Sequence, residues 1–232
     1  MLKGRKTDNF SMRIYLETIE NIVGPHGLKS VLNYAHLEKY IDNFPPSNSC
    51  VEIPLEDIQS LCLSLLEMFG QKGVRSLQLR VGRQLAQRSL SNRPLVRKAA
   101  QLLSRVVPEH KKMRYCLTRL IEEVKKRYPL PVDTSLPRLE LHEEEDCFII
   151  IYRDNWESED VISQSPVCNV AVGTIEALME WITGHIHEVQ ESECRAMGHP
   201  ADVFRISKFH KKEDEKVEKR SLDSPFLRKN TI

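Results

Sequence analysis

The order of hydrophobic patterns along the chain predicts an α+β fold, with N-terminal helices packed on a C-terminal antiparallel sheet that one helix interrupts. Up to about residue 130, apolar side chains recur at helical spacing. From 135 to 209 they fall in short runs or alternate with polar residues, and a single helical stretch near 170–183 separates two pairs of such runs. A doubly wound parallel sheet would need strand and helix to alternate throughout, which they do not.

Residues 1–10 are expected to be a disordered N-terminus. Met12–Val23 then places Ile14, Tyr15, Leu16, Ile19, Ile22 and Val23 on a broad apolar face, and Gly24-Pro25 stops that helix. A second helix runs from Gly27 or Leu28 to about Tyr40, carrying Leu28, Val31, Leu32, Ala35 and Leu37. Paired prolines make 42–49 a loop. Pro54–Phe69 is the next helix, with Pro in its first turn and Glu56 and Asp57 near the positive end of its dipole. Gly70 and Gly73 break the chain before a helix from Val74 to about Leu90, on which Leu77, Val81, Leu85 and Ala86 share a face. Its Arg75, Arg80, Arg83 and Arg88 are spread around the axis, which suits a solvated face better than a phosphate site. Leu95–Val107 and Lys111–Tyr128 read as two further helices, the second stopped by Pro129-Leu-Pro131.

The pattern then changes. Arg138–His142 alternates, Glu143–Asp146 is an acidic turn, and Cys147–Tyr152 is an apolar run, which together predict a β-hairpin. Val170–Thr183 is a helix with Ala171, Ile175, Leu178, Met179 and Ile182 on its apolar side and Gly184 as its cap. Strands over about His185–Cys194 and Asp202–Phe209 close the domain, and 210–232 is a charged tail with little to bury. The expected organisation is one ligand-binding domain over 11–209, helical over 11–130 and hairpin-helix-hairpin over 135–209.

Lys plus Arg number 34 against 33 Asp plus Glu, so no overall field favours a polyanion, and direct nucleic-acid binding is not expected. No apolar stretch is long enough for a signal or a membrane span, and the expected location is cytoplasmic. Of the six cysteines, Cys62 and Cys147 fall on apolar faces as small hydrophobes, and Cys50 and Cys116 mark no site. There is no glycine-rich phosphate loop and no Gly-x-Ser-x-Gly elbow.

Cys168, Glu191, Cys194 and Asp202 stand at Cys-x22-Glu-x2-Cys-x7-Asp, where soft and hard metal ligands converge. His199 is a substitute ligand if the Gly198-His-Pro200 turn folds inward. The alternative is that the two cysteines merely pack while the acids face water. A third reading makes Cys194 a nucleophile activated by His199, but flanking acids would raise its thiol pKa. His185-Ile-His187 puts two imidazoles on one strand face with Glu191, either as another metal cluster or as a solvent-facing strand start.

Cys168, the helix ending Trp181-Ile-Thr-Gly184, Glu191-x-x-Cys194-x-Ala196-x-Gly198 and Asp202-x-Phe204-x-Ile206 resemble the closing half of the four-vinyl reductase, or hydrocarbon-binding, domain family. This family is of the superfamily shared with TRAPP trafficking subunits and heme-NO-binding domains. The resemblance, strongest over 135–209, implies an often dimeric α+β domain with an apolar cavity between helices and sheet. It also implies a zinc ion held by Cys, Glu, Cys and Cys. Three of these fall on Cys168, Glu191 and Cys194, and Asp202 stands where the last cysteine would be. The function implied is a non-catalytic sensor domain enclosing a hydrophobic or aromatic molecule, with Phe69, Tyr115, Phe148, Tyr152 and Trp181 as candidate pocket residues. Alternatives are a substrate carrier in tetrapyrrole vinyl reduction, which lacks a Rossmann fingerprint for a hydride source, and a structural homodimeric scaffold.

Overall fold

The computed structural model describes residues 4–91, 107–127 and 137–210. Strand β1 (Lys6–Asp8) pairs antiparallel with β2 (Val51–Pro54). This corrects the expectation of disorder for residues 6–10, because β2 supplies the backbone partner that a lone tripeptide lacks; residues 1–3 lie outside the described residues. Helix α1 (Asn9–Tyr34) starts where the Asp8 carboxylate accepts the Ser11 N–H at 2.7 Å. Gly24, at φ 75° and ψ 170°, breaks it into the two helices the sequence predicts. The second of these ends at Tyr34, and a 3-10 turn over Glu38–Tyr40 replaces its expected last turns.

Helix α2 (Leu55–Ser91) repeats the device, with Gly70 at φ 69° and ψ 171°. Helix α3 (Glu109–Arg127) matches the charged helix of the sequence. The helix expected over Leu95–Val107 falls, apart from Val107, outside the described residues, and so does the tail beyond His210. Strands β3 (Leu139–Glu143) and β4 (Cys147–Tyr152) form the predicted hairpin. Helix α4 (Asn169–Thr183) ends on Gly184, whose φ of 82° needs no Cβ and whose N–H reaches Glu180 O. Strands β5 (His187–Glu193) and β6 (Asp202–His210) complete a four-stranded antiparallel sheet in the order β3-β4-β6-β5.

Two apolar clusters fill the molecule. In one, Met12, Leu16 and Ile19 of α1 pack on Ile58, Leu61, Leu65, Leu77 and Val81 of α2. In the other, Phe148, Ile150, Val189, Phe204 and Ile206 of the sheet pack on Met113 and Leu117 of α3 and Ile175 and Met179 of α4.

The clusters are joined where α2 crosses α4 at the closest backbone approach glycine allows. A Cβ on Gly82 would lie 2.2 Å from Val170 O, and one on Gly173 would lie 2.2 Å from Leu79 O. The contact is fastened by Thr174 Oγ1 donating to Gly82 O at 3.2 Å, by Asn169 Nδ2 donating to Gln78 Oε1 at 3.0 Å, and by an Arg83–Glu176 ion pair at 2.6 Å.

Because backbone cannot swing aside as a side chain can, Gly82→Ala and Gly173→Ala are each expected to cost about 1–3 kcal/mol or more. Gly73→Ala, whose nearest neighbour at 3.1 Å is the Phe69 Cβ just before the Gly70 break, is expected to cost far less. Urea unfolding of the three variants measures the difference.

Candidate functional site

The β5–β6 ladder and the N-terminus of α4 bring the four sequence-predicted ligands together. Strand β5 alternates so that His187, Val189 and Glu191 face the core, and β6 so that Asp202, Phe204 and Ile206 do. Cys168 immediately precedes α4, and Cys194 immediately follows β5. One potential ligand atom from each of Cys168, Glu191, Cys194 and Asp202 lies within 4.8 Å of every other, and all four residues are buried. All six cysteines are free thiols.

Glu191 Oε2 accepts the Cys168 N–H at 2.9 Å, whereas its Oε1 is buried without a hydrogen-bond partner among the described residues. Both Asp202 oxygens are engaged: Oδ1 accepts the Arg195 N–H at 2.7 Å and Oδ2 accepts the Ser158 hydroxyl at 2.6 Å. Asp202 therefore braces the Arg195–Met197 turn that positions Cys194 as well as facing the cluster. Behind it stands Glu157, which sequence reading missed because its loop has no ligand-like spacing. Its buried carboxylate accepts the Val170 and Ala171 N–H groups at 2.7 and 2.9 Å, at the positive end of α4.

This concentration of acids away from water sets the protonation. Burial pushes Glu157 up to about 8 in spite of its two amide bonds, and pushes Asp202 up to about 6. Burial likewise holds the Cys168 thiol well above its ordinary value. Cys194 departs from the sequence expectation, because the hydrogen bond from Cys168 draws it down to about 5, while burial drives Glu191 up to about 9. His199, expected as a substitute ligand, is exposed beside Glu193 at 3.9 Å and lies outside the cluster, because the turn at Gly198 (φ 94°) leads it away.

A cavity of about 670 Å³ opens between the helical half and the inner face of the sheet. Its walls include Phe10, Leu85, Leu90, Leu120, Leu139, Ile150, Ile175, Leu178 and Phe204, with Asn155, Glu157 and Thr174 among the polar groups. Three candidate pocket residues, Tyr115, Tyr152 and Trp181, line it, as does Trp156. Two do not: Phe148 is fully buried in the sheet core, and Phe69 is exposed on α2 just before the Gly70 break. Of the α2 arginines, Arg83 pairs with Glu176 and Arg88 with Glu17, so they tie helices together. No described helix is long and apolar enough to cross a membrane.

No protein-family model and no curated protein matches the sequence. Solved structures do. The chain is similar to an Fe(II) unliganded H-NOX protein from K. algicida, at 14% identity over 88% of this chain and 97% of that one, with a TM-score of 0.58. It is also similar to an H-NOX protein from S. oneidensis in the Fe(II)NO state, at 14% identity over 84% and 97%, with a TM-score of 0.52. A third is the phenol-responsive sensory domain of the transcription activator PoxR with phenol, at 14% identity over 77% and 86%, with a TM-score of 0.50. The fold is that of this group of α+β domains.

Glu157 gives the metal-free protein a pH dependence. The folded state keeps the Glu157 proton up to about 8, whereas the unfolded chain releases it near 4.5, so folding binds a proton between these values and stability falls as pH rises through them. Unfolding in urea and chelator from pH 4.5 to 8.5 should show wild type losing stability relative to Glu157→Gln across that window.

Proposed function

We propose that the chain is a non-catalytic binding domain that encloses a small hydrophobic or aromatic molecule, with a structural zinc ion beside the cavity. The observation that carries this reading is the cavity itself. Its volume of about 670 Å³ falls within the general range of ligand pockets, and apolar and aromatic side chains dominate its walls. Asn155, Glu157 and Thr174, with Lys111, Lys112, Arg119 and Glu123, are among the polar groups that would orient a ligand.

Heme, which the H-NOX relatives carry, fits the described walls poorly. Among the described residues the lining holds no histidine or methionine, and burial pushes its one thiol, Cys116, up to about 12, away from the thiolate that binds iron, which leaves only tyrosines as axial ligands. An aromatic such as the phenol bound by the PoxR domain suits the same walls better.

Zinc fits the four-residue cluster. Two adjoining thiols and an unpartnered, buried Glu191 Oε1 are donors in want of a cation, and an ion there would offset negative charge that protons otherwise neutralise. Cys168, Glu191 and Cys194 would hold it, with Asp202 as a fourth ligand through a lone pair not used by Arg195 or Ser158.

Organic extraction with mass spectrometry, and fluorescence titration with phenols and substituted benzenes, test the cavity. Trp156 and Trp181 are the only tryptophans, and both line it, so saturable quenching is expected. Leu178→Phe should weaken that binding at least tenfold with circular dichroism unchanged, and an empty extract with no quenching by any compound would sink the proposal.

Elemental analysis of chelator-free protein should find a zinc ion that Cys194→Ser removes. Asp202→Ala should lower its affinity about 10- to 100-fold without abolishing binding. Wild type free of zinc would defeat this part of the proposal.

A further inference from the structure

A second cluster lies at the opposite end of α4. His187, placed by the sequence either in a metal cluster with Glu191 or at a solvent-facing strand start, is wholly buried, and its partners are Glu109 and His210. His187 and His210 face each other across the β5–β6 ladder, and Glu109 opens α3. Their Nε2 atoms stand 3.2 and 2.6 Å from the same Glu109 oxygen, Oε1.

The hydrogen bonds around His187 fix its chemistry. Its Nδ1 lies 2.9 Å from Ser207 O, and a carbonyl only accepts, so Nδ1 carries the proton and Nε2 of the neutral ring presents a lone pair. That lone pair faces a carboxylate. The Thr183 hydroxyl, 3.1 Å from Nε2, has a single proton and two competing carbonyl acceptors, Met179 O at 2.8 Å and His185 O at 3.1 Å. An imidazole oriented by a backbone carbonyl through one nitrogen, with the other aimed at a carboxylate and a second imidazole, is held as a metal-ligating histidine is held. The His210 ring is held in turn by stacking on His185, with centroids 4.0 Å apart.

We propose that Glu109, His187 and His210 form a metal site for a borderline divalent ion such as Zn²⁺, bound through two imidazole nitrogens and one carboxylate oxygen, with a fourth position for water. Two nitrogens select against Ca²⁺ and Mg²⁺, which take oxygen ligands. Bonds of about 2.0–2.1 Å in a tetrahedron separate ligand atoms by roughly 3.3 Å. The 3.2 Å pair already stands at that spacing, and the 2.6 Å pair must open by less than about 1 Å, which the partly exposed Glu109 and His210 side chains allow. His187 and Glu191 share a strand face four residues apart, about 13 Å, so one ion cannot serve both clusters. The site is independent of what fills the cavity.

The test is a Zn²⁺ titration of the chelator-stripped full chain by calorimetry, with imidazole ¹⁵N spectra. Zn²⁺ is expected to bind here in addition to any ion that Cys194→Ser removes, and the His187 Nε2 resonance is expected to shift. His210→Ala and Glu109→Gln, at half-exposed positions, should each weaken this binding at least tenfold and leave the cysteine-bound ion in place. The site is overturned if the His187 Nε2 resonance stays unshifted at saturating Zn²⁺, or if the His210→Ala isotherm matches wild type. Should Cys194→Ser fail to fold, the comparison of His210→Ala with wild type decides alone.

Discussion

The crossing of α2 over α4 at Gly82 and Gly173 is the constraint on which the rest of the architecture depends. With no Cβ on either glycine, the two backbones meet directly, and a polar side chain bonds a main-chain carbonyl across the seam. That contact sets where the helical half sits relative to the sheet. Leu85 and Ala86 lie one turn beyond Gly82, and Ile175 and Leu178 lie just beyond Gly173, so the residues that follow the crossing become facing walls of the cavity. Spreading the helices by the width of a methyl group would change the shape of that space and the position of α4 over the sheet.

A second constraint is the concentration of acid on surfaces that alternation reserves for core. Glu191 and Asp202 occupy inward positions on β5 and β6, where neighbouring turns of the same pattern carry Val189, Phe204 and Ile206. Glu157 joins them from the loop before α4. Carboxylates in such a place must be neutralised by protons or balanced by a cation. The helix dipole and the amide bonds at the start of α4 relieve part of the cost, and the raised pKa values show that a large part remains.

The elements were largely legible in the sequence because their signals are local. Gly24-Pro25, Gly70 and Gly184 punctuate the helices where they were read, and short alternating or apolar runs mark the strands of the main sheet. The β1–β2 pair was not legible, since Lys6–Asp8 is too short to carry a period and its partner lies more than 40 residues away. The same distinction divides the sites. Cys168, Glu191, Cys194 and Asp202 sit on adjoining elements at recognisable intervals and converge as read. Glu157, by contrast, reaches the site through an irregular loop, and Glu109 meets His187 and His210 only after α3 docks against strands some 80 residues later. His199 misled for the opposite reason: closeness in sequence to Asp202 is cancelled by the direction of one turn. Among the aromatics, residue type alone could not separate cavity walls such as Tyr152 from plain core such as Phe148.

Helix α4 is 15 residues long, so it spans about 22 Å. Its first turn is bound to the cysteine and acid cluster, its last turn touches His187 through Thr183, and one side of it lines the cavity from Val170 to Ile182. It is a beam fixed at both ends, with one side along the cavity. Its two ends are therefore fixed by separate sets of contacts, and those are where each proposed ion would sit. The inner wall of the chamber is thus as stiff as the two sets of bonds that hold its ends.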